Sequence, residues 1–148
     1  MKGCDLQSEQ DSIPCRDVFA LRLSGNKLAR FSQDYFLQCS KLVTLAVVNS
    51  QLTEMPDIPV QSAHLSFLLL GNNYIKACGR LCERKFNKLE NFDVSNNRVE
   101  DIFPFLDAAV KFWPKLRHLG LRRNPLRTIP NPASIYGTSV SCAGGMNE

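Results

Sequence analysis

The sequence predicts an α/β solenoid, in which short parallel strands lie side by side in one sheet and mostly irregular segments return the chain between them. Two observations predict it. A pattern of apolar residues with one polar residue recurs five times along the chain. Within each copy, apolar residues two positions apart share one face of a short strand. One such strand cannot bury that face alone, so the copies must stack to form a continuous core.

The recurring pattern is L-x-x-L-x-L-x-x-N-x-L, and it repeats at intervals of 24, 23, 24 and 27 residues. The five copies are Val18, Leu21, Leu23, Asn26 and Leu28; Leu42, Leu45, Val47, Ser50 and Leu52; Leu65, Leu68, Leu70, Asn73 and Ile75; Leu89, Phe92, Val94, Asn97 and Val99; and Leu116, Leu119, Leu121, Asn124 and Leu126.

This motif resembles that of the leucine-rich repeat family, closest to its 24-residue typical type, over residues 18–129. The resemblance implies a right-handed solenoid with a short parallel sheet on its concave face. The returns on the convex face are then irregular or short helices. Three departures are the replacement of the motif asparagine by Ser50, an irregular segment from Pro56 to Pro59, and extra residues between Val99 and Leu116.

The repeats divide the chain into three parts. Residues 1–17 are an amino-terminal cap or a partial repeat, residues 18–129 are the five repeats, and residues 130–148 are a carboxy-terminal cover with a flexible tail. The five repeats comprise residues 18–41, 42–64, 65–88, 89–115 and 116–129. Residues 103–112 are predicted to be helical, since Pro104 suits a first turn and Pro114 ends the helix.

The motif asparagines are predicted to be structural. Each lies where the chain leaves its strand, and its amide can bond to backbone groups that are left unpaired there. The four are Asn26, Asn73, Asn97 and Asn124. An unsatisfied buried group costs about 1–3 kcal/mol, so the copy with Ser50 is expected to be the weakest.

The cysteines are also predicted to be structural. Cys4 and Cys15 resemble part of the amino-terminal cysteine cap of extracellular leucine-rich repeat proteins, which implies a disulfide; the alternative is an incomplete repeat with two free thiols. Cys39 and Cys78 fall on core columns, where a thiol behaves as a small hydrophobe. Cys78 and Cys82 have no second pair at a zinc-like spacing, so no metal site is expected.

Composition and motifs disfavour several classes of function. The net charge is +4, the pI is about 8.8, and no apolar stretch is long enough for a membrane span. The start of the chain lacks the apolar core of a signal peptide, so a secreted origin requires a mature form, a fragment or an incomplete gene model. The motifs of serine hydrolases, zinc proteases and nucleotide-binding loops are absent. We expect no enzymatic activity, cofactor or small-molecule substrate.

The predicted recognition surface consists of the strand residues between the buried ones. An apolar centre is formed by Ala46, Val48, Phe67 and Leu69, and polar residues at its rim are Arg22, Asn91, Asp93, His118 and Arg122. A contiguous exposed apolar patch marks a contact site. The alternative is that an adjacent loop, such as Pro56–His64, covers the patch.

A basic segment near the end of the array is a second candidate feature. It contains Lys111, Lys115, Arg117, Arg122, Arg123 and Arg127, without an acidic residue. It either solubilises the end of the stack or binds an acidic protein. RNA is disfavoured, although Trp113 could stack on a base.

The sequence therefore predicts a non-enzymatic module that recognises an unidentified protein partner through the concave face. An extracellular or cell-surface fragment, such as part of a receptor or adhesion protein, is favoured slightly over a cytoplasmic one. The alternatives are an intracellular adaptor or regulatory subunit, similar to the phosphatase-regulator branch of the family, and an RNA-binding leucine-rich repeat domain.

Overall fold

The computed structural model describes residues 17–30, 39–58 and 63–127, together with the backbone of residues 139–141. These residues contain one parallel sheet, whose strands are hydrogen-bonded in the order in which they occur along the chain. The strands are β1 (Ala20–Arg22), β2 (Thr44–Ala46), β3 (Phe67–Leu69), β4 (Asn91–Asp93), β5 (His118–Gly120) and β6 (Ser139–Ser141). The first five strands coincide with the five copies of the motif. The sixth lies in the segment that was predicted to be a cover and tail.

The register of the sheet pairs equivalent motif positions. Leu21 is paired with Leu45, Leu45 with Leu68, Leu68 with Phe92, and Phe92 with Leu119. These five middle residues are all buried, whereas the residues on either side of them face away from the core. Since side chains alternate along a strand, this register keeps one face of every strand in the core.

The chain turns at the same place in every copy. The residue before the motif asparagine, or its replacement, has a positive φ: Gly25, Asn49, Asn72, Asn96 and Arg123. Glycine and asparagine tolerate this left-handed conformation better than other residues. Four of the five turns therefore use a residue that suits the conformation.

Buried asparagines bind consecutive copies together. The Asn97 amide nitrogen donates to the carbonyl of Leu70 at 2.9 Å, and its oxygen accepts from the N–H of Ile75 at 2.9 Å. Asn73 and Asn124 make equivalent bonds to the copy before them. Ser50, at the same position, donates over 3.4 Å to the Leu23 carbonyl. The side chain of Ser50 is too short to reproduce the two-sided bridge.

One helix follows the fourth strand. Helix α1 spans Phe103–Lys111, which agrees with the predicted helix to one residue, and Pro104 lies in its first turn. It buries Phe105 against Phe92, with ring centroids 6.0 Å apart.

Trp113 packs into the core behind α1. It meets Phe92 edge to face at 5.4 Å, and it is 1% exposed. Its indole N–H donates to the carbonyl of Arg84 at 3.1 Å. The tryptophan is therefore not available to stack on a nucleotide base.

The return after β3 contains a short 3₁₀ helix, Gly79–Glu83, closed by a disulfide between Cys78 and Cys82. Cys39 is also disulfide-bonded. Cys39 and Cys78 are buried, as the core columns predicted, but the expectation that they are thiols was wrong. Sequence spacing alone does not show that Cys78 and Cys82 approach to a Cα separation of 5.7 Å, which a disulfide requires. The predicted pairing of Cys4 with Cys15 lies outside the described residues.

We predict that Leu68→Ala or Leu119→Ala lowers the free energy of unfolding by about 2–5 kcal/mol, because each leaves a cavity in the stacked core. The two leucines are 0% and 1% exposed. Urea denaturation followed by circular dichroism measures the loss. Thr53→Ala, an exposed change outside the core, is the control, and a loss below about 1 kcal/mol for both leucines would contradict the core assignment.

We predict that Ser50→Asn stabilises the protein by about 1 kcal/mol, which corresponds to a rise of about 2–4 °C in the melting temperature. The new amide would donate to the Leu23 carbonyl and accept from the N–H of Leu28, as Asn73 does from Leu52. The reciprocal change, Asn97→Ser, should lower the melting temperature. Calorimetry measures both variants, and a destabilising Ser50→Asn would show that the second copy cannot accommodate the bridge.

Candidate functional site

The candidate site is the open face of the sheet, formed by the outward residues of β1–β5 and the residue two positions after each strand. Along the sheet these residues form three rows: Ala20, Thr44, Phe67, Asn91 and His118; Arg22, Ala46, Leu69, Asp93 and Gly120; and Ser24, Val48, Gly71, Ser95 and Arg122. Neighbouring residues in a row are therefore about 24 positions apart in the sequence.

The apolar part of the open face lies on β2 and β3. Thr44 is paired with Phe67, and Ala46 is paired with Leu69. The Phe67 side chain is 40% exposed, and Leu69 and Val48 are half-buried. Ala46 is 4% exposed, so it forms the floor beside Leu69. Among the four residues of the predicted apolar centre, Phe67 is the most exposed.

The polar part lies on β4. Asn91 and Asp93 are half-buried and are paired with Phe67 and Leu69 of β3. Hydrogen-bonding groups therefore lie directly beside the apolar part. The Asp93 carboxylate accepts a hydrogen bond from the N–H of Ser95 at 2.9 Å, which fixes one of its oxygens.

Two glycines outside the predicted set of site residues make room for Asp93. A Cβ at Gly120 would lie 2.5 Å from Asp93 Oδ1, and a Cβ at Gly71 would lie 3.4 Å from Asp93 Oδ2. Both glycines occupy outward positions of the open face, where the other copies have side chains. Glycine at an outward strand position is a signal that could have identified them, because it marks close approach of another group.

The basic residues of the predicted rim do not form one group. His118 and Arg122 lie on and just after β5, whereas Arg22 lies on β1. Four strand intervals of about 4.8 Å separate β1 from β5, so these ends are about 19 Å apart. The structure thus places Asn91 and Asp93 on the β3 side of the apolar part and Arg22 on its β2 side, paired with Ala46.

Within the described part of the chain, no three His, Cys, Asp or Glu side chains gather where they could hold a metal ion. No described helix is long and apolar enough to cross a membrane.

The sheet has one parallel strand for each copy of the motif and an open face of mixed polarity. This arrangement is compatible with a leucine-rich repeat protein. Over 110 residues, which are 74% of this chain, the sequence is 26% identical to human leucine-rich repeats and immunoglobulin-like domains protein 1. The chain spans about 10% of the length of that relative. No family model matches the chain. The distant similarity and the sheet together suggest a protein-interaction module.

Proposed function

We propose that this chain is a leucine-rich repeat solenoid that acts as a non-enzymatic recognition module and binds a protein partner through the open face. The observation that carries the proposal is the position of Phe67, a large apolar side chain 40% exposed at the centre of that face. It lies on the third of the five strands that carry the motif, with Thr44 on one side and Asn91 on the other.

The composition of the open face suits an interface. Aromatic residues near the centre of an interface supply most of the binding energy when a partner excludes water from them. Here Phe67 and Leu69 would supply that energy, and Val48 and Ala46 would extend the apolar floor. Burial of this surface by a partner is favourable because it removes apolar area from water.

Specificity would come from the adjacent polar groups. Asn91 offers a donor and an acceptor, and Asp93 has one oxygen that remains available for a partner donor. A partner that covers Phe67 without bonding to Asp93 would leave a carboxylate desolvated and unpaired, which is costly. His118, Arg122 and Arg22 would contact the periphery of a larger partner.

An extracellular receptor or adhesion fragment is the role that we favour. Disulfides persist mainly in oxidising compartments, and Cys39, Cys78 and Cys82 are all disulfide-bonded in the structure. The alternative is an intracellular adaptor or regulatory subunit, for which helix α1 in the fourth return is the supporting observation. The buried position of Trp113 weakens the third alternative, RNA binding.

We predict that Phe67→Ser with Leu69→Ser weakens binding of the partner at least about 100-fold, since two central apolar contacts are lost. A photoreactive amino acid at position 67 identifies the partner by cross-linking, and the purified partner is then titrated by calorimetry. The matched control is Phe103→Ser with Val110→Ser, which also removes two exposed apolar side chains, from helix α1.

Binding through the open face predicts that the control variant keeps its affinity within about threefold. Equal losses in the two double variants, or a larger loss in the control, would place the interface elsewhere. Melting curves for both variants verify that each remains folded.

We predict that protein from its natural source, alkylated before unfolding, yields the Cys78–Cys82 disulfide and a disulfide at Cys39 in peptide mass spectrometry. Native disulfides indicate an oxidising compartment and support the extracellular role. A bond between Cys4 and Cys15 in the same map would establish the predicted cap. Alkylated thiols at Cys78 and Cys82 would instead favour the intracellular adaptor.

A further inference from the structure

A second surface, remote from the open face, has the features of a ligand site. It is a cleft of about 690 Å³ between the returns that follow β2, β3 and β4. Its floor and walls include Met55, Pro56 and Leu81, and its polar residues include Lys76, Arg80 and Arg98. None of the residues that line the cleft belongs to the open face, so the two surfaces can be tested independently.

The lining of the cleft carries three cations and two carboxylates, and each carboxylate has an arginine outside the lining within 4.0 Å. Asp57 forms a 2.9 Å ion pair with Arg84, and Glu54 lies 3.9 Å from Arg30. In contrast, Lys76, Arg80 and Arg98 form no ion pair with any residue that the structure describes. Three cations thus face one cleft without acidic partners from the described chain.

Arg98 is held in place without losing its capacity to bind an anion. Its guanidinium lies over the ring of Tyr74, 4.5 Å from the ring centroid. Stacking uses the flat face of the guanidinium and leaves the N–H groups at its edge free to form paired hydrogen bonds with an oxyanion. The backbone N–H groups of Tyr74 and Arg98 donate to the preceding copies, at 2.7 and 2.8 Å, which holds the backbone at both residues.

The disulfide loop forms another part of the lining. Gly79, Arg80 and Leu81 line the cleft, and all three lie between Cys78 and Cys82. The disulfide closes this short loop and restricts its backbone, so Arg80 is presented from a constrained segment. A loop closed in this way also points to an oxidising compartment, where the anionic polymers available to a protein include sulfated polysaccharides.

We propose that this cleft binds a sulfated oligosaccharide, with Lys76, Arg80 and Arg98 contacting sulfate groups at successive positions along it. Lys76 and Arg80 lie on the return after β3 and Arg98 lies on the return after β4, so the three cations fit a ligand with several anionic groups better than a single small anion. Charge-assisted hydrogen bonds to the sulfate oxygens supply the affinity.

The test is binding of a heparin-derived tetrasaccharide to the full chain, measured by calorimetry at physiological ionic strength. The test variant is Arg80→Gln with Arg98→Gln. The matched control is Lys27→Gln with Lys115→Gln, which lowers the net charge equally at two exposed positions outside the cleft. We expect the test variant to bind at least about tenfold more weakly and the control to stay within about twofold.

Three further binding experiments test whether the cleft recognises the sulfate groups. The chemically desulfated tetrasaccharide should not bind, inorganic sulfate and inorganic phosphate should compete only at far higher concentration, and affinity should fall steeply with salt. Equal losses in the two double variants would mean non-specific attraction to a basic protein, and would overturn the proposal. So would retention of binding by the desulfated sugar, competition by an inorganic anion at equal concentration, or no binding by the unaltered chain.

A measurement on the unaltered chain covers the case in which the test variant does not fold. Lysine acetylation is followed by mass spectrometry with and without the sulfated tetrasaccharide. Lys76 should become protected at least about fivefold, whereas Lys115 should react at the same rate, since only a group in contact with the ligand loses access to the reagent. Equal protection of the two lysines, or none at Lys76, would refute the cleft as the site.

Discussion

The fold depends on the two-sided bridge that each buried asparagine forms with the copy before it. Parallel strands of three residues offer few backbone hydrogen bonds, and every turn leaves polar backbone groups inside the stack. The amide of Asn97 satisfies the Leu70 carbonyl and the Ile75 N–H together, so one side chain ties the strand and the turn of the previous copy to its own. Because a buried unsatisfied group costs about 1–3 kcal/mol, these bridges hold the leucine columns in register.

That register has a functional consequence on the other side of the sheet. With Leu21, Leu45, Leu68, Phe92 and Leu119 in one buried row, the neighbouring residues of every strand must face outward. Phe67 and Asp93 face outward for this reason, although neither belongs to the buried row. The core therefore supports the open face, and an exposed residue on that face such as Phe67 contributes little to the core.

The returns form the cleft, and their sequences are constrained less than those of the strands. They need only connect one strand to the next, so their sequences are free to differ. The return after β3 contains a 3₁₀ helix and the Cys78–Cys82 disulfide, whereas the return after β4 contains helix α1 and buries Trp113. The cleft lies between the return after β3 and the irregular segment around Pro56.

The sequence by itself determined the first five strands, their buried residues, the structural asparagines and helix α1, because these follow from short-range spacing and from the need to bury an apolar face. Only the tertiary structure decided which residues meet across copies. The position of Asp93 between Gly71 and Gly120 and the stacking of Arg98 on Tyr74 depend on residues about 24 positions apart. The spacing of the repeat places such residues in the same row or in neighbouring rows, but the contacts between their side chains are set by packing, which sequence periodicity does not encode.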